Sequence, residues 1–164
     1  MQKLLGFFVC LFIFSTYSSA QWMLGGQYKY HPKENQLGLR YDGLSHLNSN
    51  FNAGIHYNFG NKDSWGLSAG YTYHFDNTFK SSFTAGANVG VNFSTGTAGK
   101  NTSFDLSGNL GYYALFGDMK HGVIWPKAYI NYRFDSGAEQ KDGKAKDEPD
   151  DLSFRPAIHV GYRF

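Results

Sequence analysis

Cysteine is almost absent from this chain of 164 residues, and the single one is Cys10. Beyond its first segment the chain therefore has no disulfides, no clusters of metal-binding thiolates and no thiol chemistry. Charge is also sparse, at 17% of residues. Seven of the 13 acidic residues lie between positions 135 and 151, which leaves the rest of the chain poor in carboxylates. No basic cluster indicates binding to nucleic acid.

The first twenty residues have the layout of a secretory signal. A basic start is followed by an apolar run over residues 4–14, and Ser18 and Ala20 occupy the small-residue positions of a cleavage site. The run is shorter than the about 20 residues that a membrane-spanning helix needs. We therefore expect a cleaved signal peptide over residues 1–20 and one domain over residues 21–164.

The rest of the chain shows no helical periodicity. Apolar and polar residues alternate along most of it instead. In residues 82–93, apolar side chains occupy every odd position, and Gly, Ser, Thr or Asn occupies every even one. The same pattern recurs along the chain. An even number of strands of this length favours a closed antiparallel barrel. We predict eight strands, over residues 22–30, 36–45, 51–59, 65–75, 82–93, 104–116, 124–134 and 152–164.

The two longest predicted connections are residues 95–102 and residues 135–151. Both fall in the set of alternate connections that would share one end of the barrel. Membrane barrels have long outer loops and short inner turns, so we expect both segments to face outward from the cell, with residues 135–151 as the longest outer loop. Carboxylates at irregular spacing in that loop do not match an EF-hand, so a solvated loop is expected there.

The polar face of the strands is mainly Gly, Ser, Thr and Asn. A soluble barrel or sandwich, which is the alternative, turns its apolar face inward and exposes many charges. Small uncharged residues suit a narrow lumen instead, so the apolar face is predicted to point outward into lipid. Large aromatic residues near the strand ends are typical of two interfacial girdles. They are Trp22, Tyr30, Phe51, Phe59, Trp65, Phe75, Phe83, Phe93, Phe104, Phe116, Phe134 and Phe154.

The chain ends in VGYRF, a terminal Phe with apolar residues alternating back from it. This ending resembles the C-terminal signal of bacterial outer-membrane proteins, which Ile158, Val160, Tyr162 and Phe164 match position by position. The whole layout resembles the small eight-stranded barrels of the OmpX type and the OmpA transmembrane domain. The resemblance implies an all-β, closed antiparallel transmembrane barrel in the bacterial outer membrane. It also implies contact with outer-membrane lipids and lipopolysaccharide, and with the barrel-assembly machinery during insertion.

The interior of an eight-stranded barrel is just wide enough for side chains to fill. Charged residues on the polar face need partners or water there. Basic residues outnumber acidic ones among the charged residues of the polar face, so a narrow gated path or an anion site is the alternative to a plugged lumen. Lys29 and Arg163 share that face. We expect an ion-pair and hydrogen-bond network that plugs the lumen, formed by Arg40, Asp42, Asp105, Lys127, Arg133 and Arg155.

The histidines raise the question of catalysis, because some eight-stranded barrels are lipid A acyltransferases or deacylases. The deacylase type carries a His-x-Ser arrangement on one strand, and neither His56, His74 nor His159 has a serine at that position. A general base also needs an orienting partner within hydrogen-bond reach. We therefore predict that the protein is not an enzyme, that it has no catalytic, cofactor or metal site, and that these histidines are luminal hydrogen-bonding groups.

The predicted function is a structural or surface-interaction role in the outer membrane, with the lumen plugged by side chains. An unidentified envelope protein is a further expected partner. The alternatives are a narrow channel, a lipid A-modifying enzyme at the barrel rim, and an accessory barrel of a secretion or envelope complex.

Overall fold

The computed structural model describes residues 22–44, 48–60, 63–78, 80–96, 99–117, 119–136 and 151–164. The predicted signal peptide lies outside the described residues, and so do residues 137–150 of the predicted long loop. The described residues include no helix that is long and apolar enough to cross a membrane. They form eight strands: β1 Trp22–Lys29, β2 Glu34–Leu44, β3 Ser49–Gly60, β4 Ser64–His74, β5 Ser82–Gly96, β6 Gly99–Phe116, β7 Gly122–Ser136 and β8 Asp151–Arg163.

Each strand pairs antiparallel with the next, and β8 pairs with β1, so that the sheet closes into a barrel. The predicted all-β class and the closed, eight-stranded antiparallel barrel are confirmed. One end of the barrel, here the termini end, holds Trp22, Phe164 and the connections β2–β3, β4–β5 and β6–β7. The loop end holds the connections β1–β2, β3–β4, β5–β6 and β7–β8.

Alternation along each strand separates two faces because successive side chains of a strand point to opposite sides of the sheet. On β3, Asn50 is 1% exposed and its neighbour Phe51 is 72% exposed. The other strands repeat this arrangement, with leucine, isoleucine, valine and aromatic residues outside and polar residues inside. The larger apolar side chains of the described strands therefore point mainly outward, as the alternation predicts.

The pairing register sets the tilt of the strands. From Trp22, which pairs with Gly43, a circuit through successive partners reaches Phe154 on β8. The register between β8 and β1, extended past the end of β1 at Lys29, places Phe154 opposite position 32. One circuit thus shifts the register by about ten residues, and such a stagger requires strongly tilted strands. Side chains at one depth of the lumen therefore come from different distances along their strands.

Two predicted connections are shorter in the structure than expected. Residues 95–102 were expected to form a long loop, but β5 runs to Gly96, β6 begins at Gly99, and these two glycines pair. A two-residue connection replaces the loop because the hairpin continues its ladder. Residues 31–35 were expected to be a turn, but β2 already begins at Glu34. The side chain of Glu34 consequently enters the lumen.

The buried apolar residues gather at the termini end of the lumen. Met23, Leu44, Tyr113, Val123 and Trp125 form one cluster, and the partly buried Leu115 packs against it. We call these six residues the apolar plug. Above it, toward the loop end, the described interior is lined by polar and charged side chains and by the buried Tyr129.

The pairing of β1 with β8, where the barrel closes, is called the β1–β8 seam. Two adjacent glycines of β1 provide a matched test of how closely the two backbones approach there. A Cβ atom on Gly25 would lie 2.5 Å from the Val160 carbonyl oxygen and 2.8 Å from the Gly161 Cα. A Cβ atom on Gly26 points outward and meets nothing closer than 4.0 Å. We predict that Gly25→Ala lowers the free energy of unfolding by about 1–3 kcal/mol, because backbone atoms of β8 must move.

Gly26→Ala is the control, and it should leave stability unchanged or raise it by about 0.5–1 kcal/mol. Urea titration of the folded barrel in detergent measures both changes. Equal effects of the two substitutions would show that the seam does not have this close approach.

Candidate functional site

A circuit of hydrogen bonds that closes through the backbone of β2 crosses the lumen near the loop end. Gln36 Nε2 donates to Asn58 Oδ1 (2.8 Å), and Asn58 Nδ2 donates to Asn92 Oδ1 (2.9 Å). Asn92 Nδ2 in turn donates to Asp105 Oδ2 over 2.8 Å. These bonds connect β2, β3, β5 and β6 in order around the wall.

Arg133 on β7 completes the circuit back to β2. Its Nε donates to Asp105 Oδ1 over 2.8 Å, and its Nη1 donates to Glu34 Oε2 over 2.8 Å. Glu34 and Gln36 both point inward from β2, so the path returns to its starting strand. We call the six residues of this circuit the lumen ring: Glu34, Gln36, Asn58, Asn92, Asp105 and Arg133.

Neighbouring groups tie the lumen ring to the remaining wall. Arg155 Nη2 on β8 donates to Glu34 Oε2 over 3.0 Å, so this carboxylate serves two guanidinium groups. Asn58 Nδ2 also donates to Ser64 Oγ on β4, and His56 Nε2 lies 2.8 Å from Asn92 Oδ1. The bonds that reach the carboxylates of Glu34 and Asp105 are charge-assisted and about twice as strong as the neutral ones.

A second ionic cluster lies between the lumen ring and the apolar plug. Arg40 donates from Nη2 to Asp42 Oδ1 (2.7 Å) and from Nε to Asp42 Oδ2 (2.9 Å), a two-point contact. Asn50 Nδ2 donates to the same carboxylate, and Arg40 Nη1 donates to the Tyr129 hydroxyl over 3.4 Å. Gln27 Nε2 also donates to that hydroxyl. Asp42 is fully buried, and these bonds compensate for its loss of water.

Trp125 connects this cluster to the apolar plug. The ammonium of Lys127 lies 3.2 Å from the centre of its ring, and the Arg40 guanidinium lies 5.4 Å from it. Its indole Nε1 donates to Thr84 Oγ1 over 3.0 Å, and the His159 ring stacks beside it with centroids 5.9 Å apart. One large side chain thereby fills the middle of the lumen and holds cations against its face.

The six charged residues expected inside the barrel all project into the lumen. Arg40 pairs with Asp42, Arg133 pairs with Asp105, and Arg155 pairs with Glu34. Lys127 stays outside these pairs and contacts Trp125.

Sequence reasoning missed Glu34 and Trp125. Glu34 shares even-numbered parity with Arg40 and Asp42, so extending the alternation of β2 toward its start would have placed its side chain inside. Trp125 has the parity of Lys127, which would likewise have placed it in the lumen rather than on the apolar face.

The histidines differ in their contacts. His74 Nδ1 lies 3.2 Å from Ser82 Oγ, and its ring packs edge-on against Tyr113. His159 Nδ1 lies 4.0 Å from Asp42 Oδ2, too far for a hydrogen bond. All three strand histidines, His56 included, are buried among luminal side chains.

The four residues that resemble an assembly signal lie outside, along the β1–β8 seam. Ile158 pairs with Tyr28, and Tyr162 pairs with Leu24. The Phe164 ring stacks on Trp22 with centroids 4.0 Å apart, and its N–H donates to the Trp22 carbonyl. Val160 lies between them on the same exposed face.

The described residues contain no group of three or more metal-binding side chains. The geometry supports charge pairing across the lumen. A scan of protein-family models finds no match to the chain, and a search of curated proteins finds no similar sequence. The function is therefore inferred from the distribution of residues in the barrel itself.

The shared carboxylate of Glu34 gives a direct test of the lumen ring. Glu34→Gln keeps the size of the side chain but leaves Arg133 and Arg155 with less compensation for their buried charge. We predict a loss of about 3–5 kcal/mol in the free energy of unfolding, measured by urea titration. Asp76→Asn is the control, because Asp76 is exposed and lies 3.9 Å from exposed Lys80. It should cost less than about 1 kcal/mol; similar losses for both variants would refute the role of the ring.

Proposed function

We propose that this chain is a small outer-membrane barrel with a structural or surface-interaction role and a closed lumen. The observation that carries the proposal is the inverted distribution of residues around the wall. Large apolar side chains cover the outside, whereas asparagine, serine, threonine and charged residues fill most of the inside. Exposing that apolar surface to water is unfavourable, and burying it in hydrocarbon is favourable.

Aromatic side chains at both ends of the wall support a membrane location. At the termini end Phe83 packs against Tyr112, and at the loop end Tyr57 packs against Trp65. Trp65, near the start of β4, and Phe75, just past its end, are about ten residues apart, or roughly 25 Å along the axis of a tilted strand. That separation matches the apolar band of about 25 Å in outer-membrane barrels.

The backbone of the barrel also suits lipid. Each described strand has a paired neighbour on both sides, so the sheet has no free edge strand, which is what lipid requires of a barrel. Lipids and lipopolysaccharide are the proposed surroundings of the outer face. The exposed seam face of β8 is the proposed contact for the barrel-assembly machinery during insertion.

Two barriers in series support a closed lumen rather than a channel. We take the lumen ring, with its ionic and amide hydrogen bonds, as the barrier at the loop end, and the apolar plug, which packs beside buried His74 and Arg163, as the barrier at the termini end. A continuous water path would have to pass both. Surface interaction through the loop end is therefore the favoured role.

A charge placed on the outer face distinguishes lipid from water as the surroundings. Val89 lies near the middle of β5, is 59% exposed and carries no charge. We predict that Val89→Arg makes folding into bilayers less favourable by about 2–4 kcal/mol and reduces the protein found in the outer-membrane fraction of cells.

Met119→Arg is the matched control, because Met119 is 75% exposed in the β6–β7 connection. At the membrane interface an arginine should cost about 0–1 kcal/mol. If Val89→Arg folds as well as the parent chain and remains in a soluble fraction, the membrane proposal is wrong.

A further inference from the structure

The described part of the lumen carries more positive than negative side chains. The acids are Glu34, Asp42 and Asp105, and each is already engaged by an arginine. The bases of the described interior are Lys29, Arg40, Lys127, Arg133, Arg155 and Arg163. With all six bases protonated, these side chains carry more positive than negative charge in a narrow space away from bulk water.

Lys127 is a buried base of this set whose nitrogen has no hydrogen bond among the described residues. Its side chain is 4% exposed. The Trp125 ring covers one side of the ammonium at 3.2 Å. A cation–π contact contributes about 0.5–2 kcal/mol and uses none of the three N–H donors, so it does not replace the lost hydration.

Further donors without partners lie on the neighbouring strands. Gly111 is directly opposite Lys127, so Asn109, two residues before it on β6, is the diagonal neighbour of Lys127. Asn88 on β5 faces Ser107 and is in turn the diagonal neighbour of Asn109. Asn88 and Asn109 are 7% and 5% exposed, and the Nδ2 of each lacks a hydrogen-bond partner among the described residues.

A second ammonium approaches the same region from β1. Lys29 Nζ lies 4.3 Å from the centre of the Tyr129 ring, and Tyr129 is directly opposite Asn109. Two lysines and two amide groups, from four strands, thus line the part of the lumen between the lumen ring and the apolar plug.

We propose that a small inorganic anion, chloride in the first place, occupies this part of the lumen on Lys127, Asn109 and Asn88, opposite Lys29. Water would accept hydrogen bonds from these donors but would leave the positive charge unbalanced. An anion does both. The lumen of an eight-stranded barrel has little space beyond its side chains, so the ion must be compact. The proposal goes beyond the closed-barrel function and does not depend on where the protein resides.

The test is the thermal unfolding midpoint of the whole barrel in detergent micelles, with chloride replacing isethionate at constant ionic strength. Isethionate is too large for the site. Above the dissociation constant, each tenfold rise in chloride should raise the midpoint by roughly 3–5 °C. Lys127→Met should lose this response, and Lys80→Met, on the exposed surface, should keep it.

Asn109→Asp gives a second, independent variant in case Lys127→Met does not fold. Its carboxylate would take the place of the ion, so the barrel should be more stable without chloride and should no longer respond to it. In crystals grown with bromide, anomalous scattering should show a peak beside Lys127 and Asn109. Equal midpoints in chloride and isethionate would overturn the proposal, as would a response retained by both variants or a site without the bromide peak.

Discussion

The narrow lumen is the constraint on which the rest of this structure depends. Eight tilted strands enclose a space that side chains fill, so each inward polar group must find a partner within reach. Glu34 shows how this is met, because one carboxylate accepts from both Arg133 and Arg155. The polar interior and the apolar exterior are two results of the same alternation. In the proposed membrane setting, burial of the apolar outer face in lipid stabilises the barrel only if the charges inside the lumen have partners.

Much of the fold follows from parity in the sequence. The odd and even positions of residues 82–93 separate so cleanly that the amino-acid order alone assigns both faces of β5. The same rule places Arg40, Asp42 and Arg155 on the inward side, because a period of two leaves a strand only two choices. The number of strands follows from counting such segments.

The partners of those residues could not be predicted in the same way. Gln27 donates to Tyr129, and Arg133 donates to Glu34, across about one hundred positions of sequence. These contacts depend on the register between strands and on the stagger of the closed barrel, which no local pattern specifies. The extension of β5 and β6 into residues 95–102 was missed for a related reason. Gly and Thr there are typical of turns, yet the ladder continues through them.

The most direct test of a membrane-inserted barrel with two barriers is conductance across a planar lipid bilayer. The parent chain should insert without current steps, and Arg133→Ala or Trp125→Ala alone should also be silent, because each leaves one barrier intact. The double variant should give steps that favour anions, because Lys29, Arg40 and Lys127 remain in the lumen. Steady current through the parent chain, or a folded double variant that inserts without any current, would contradict the account.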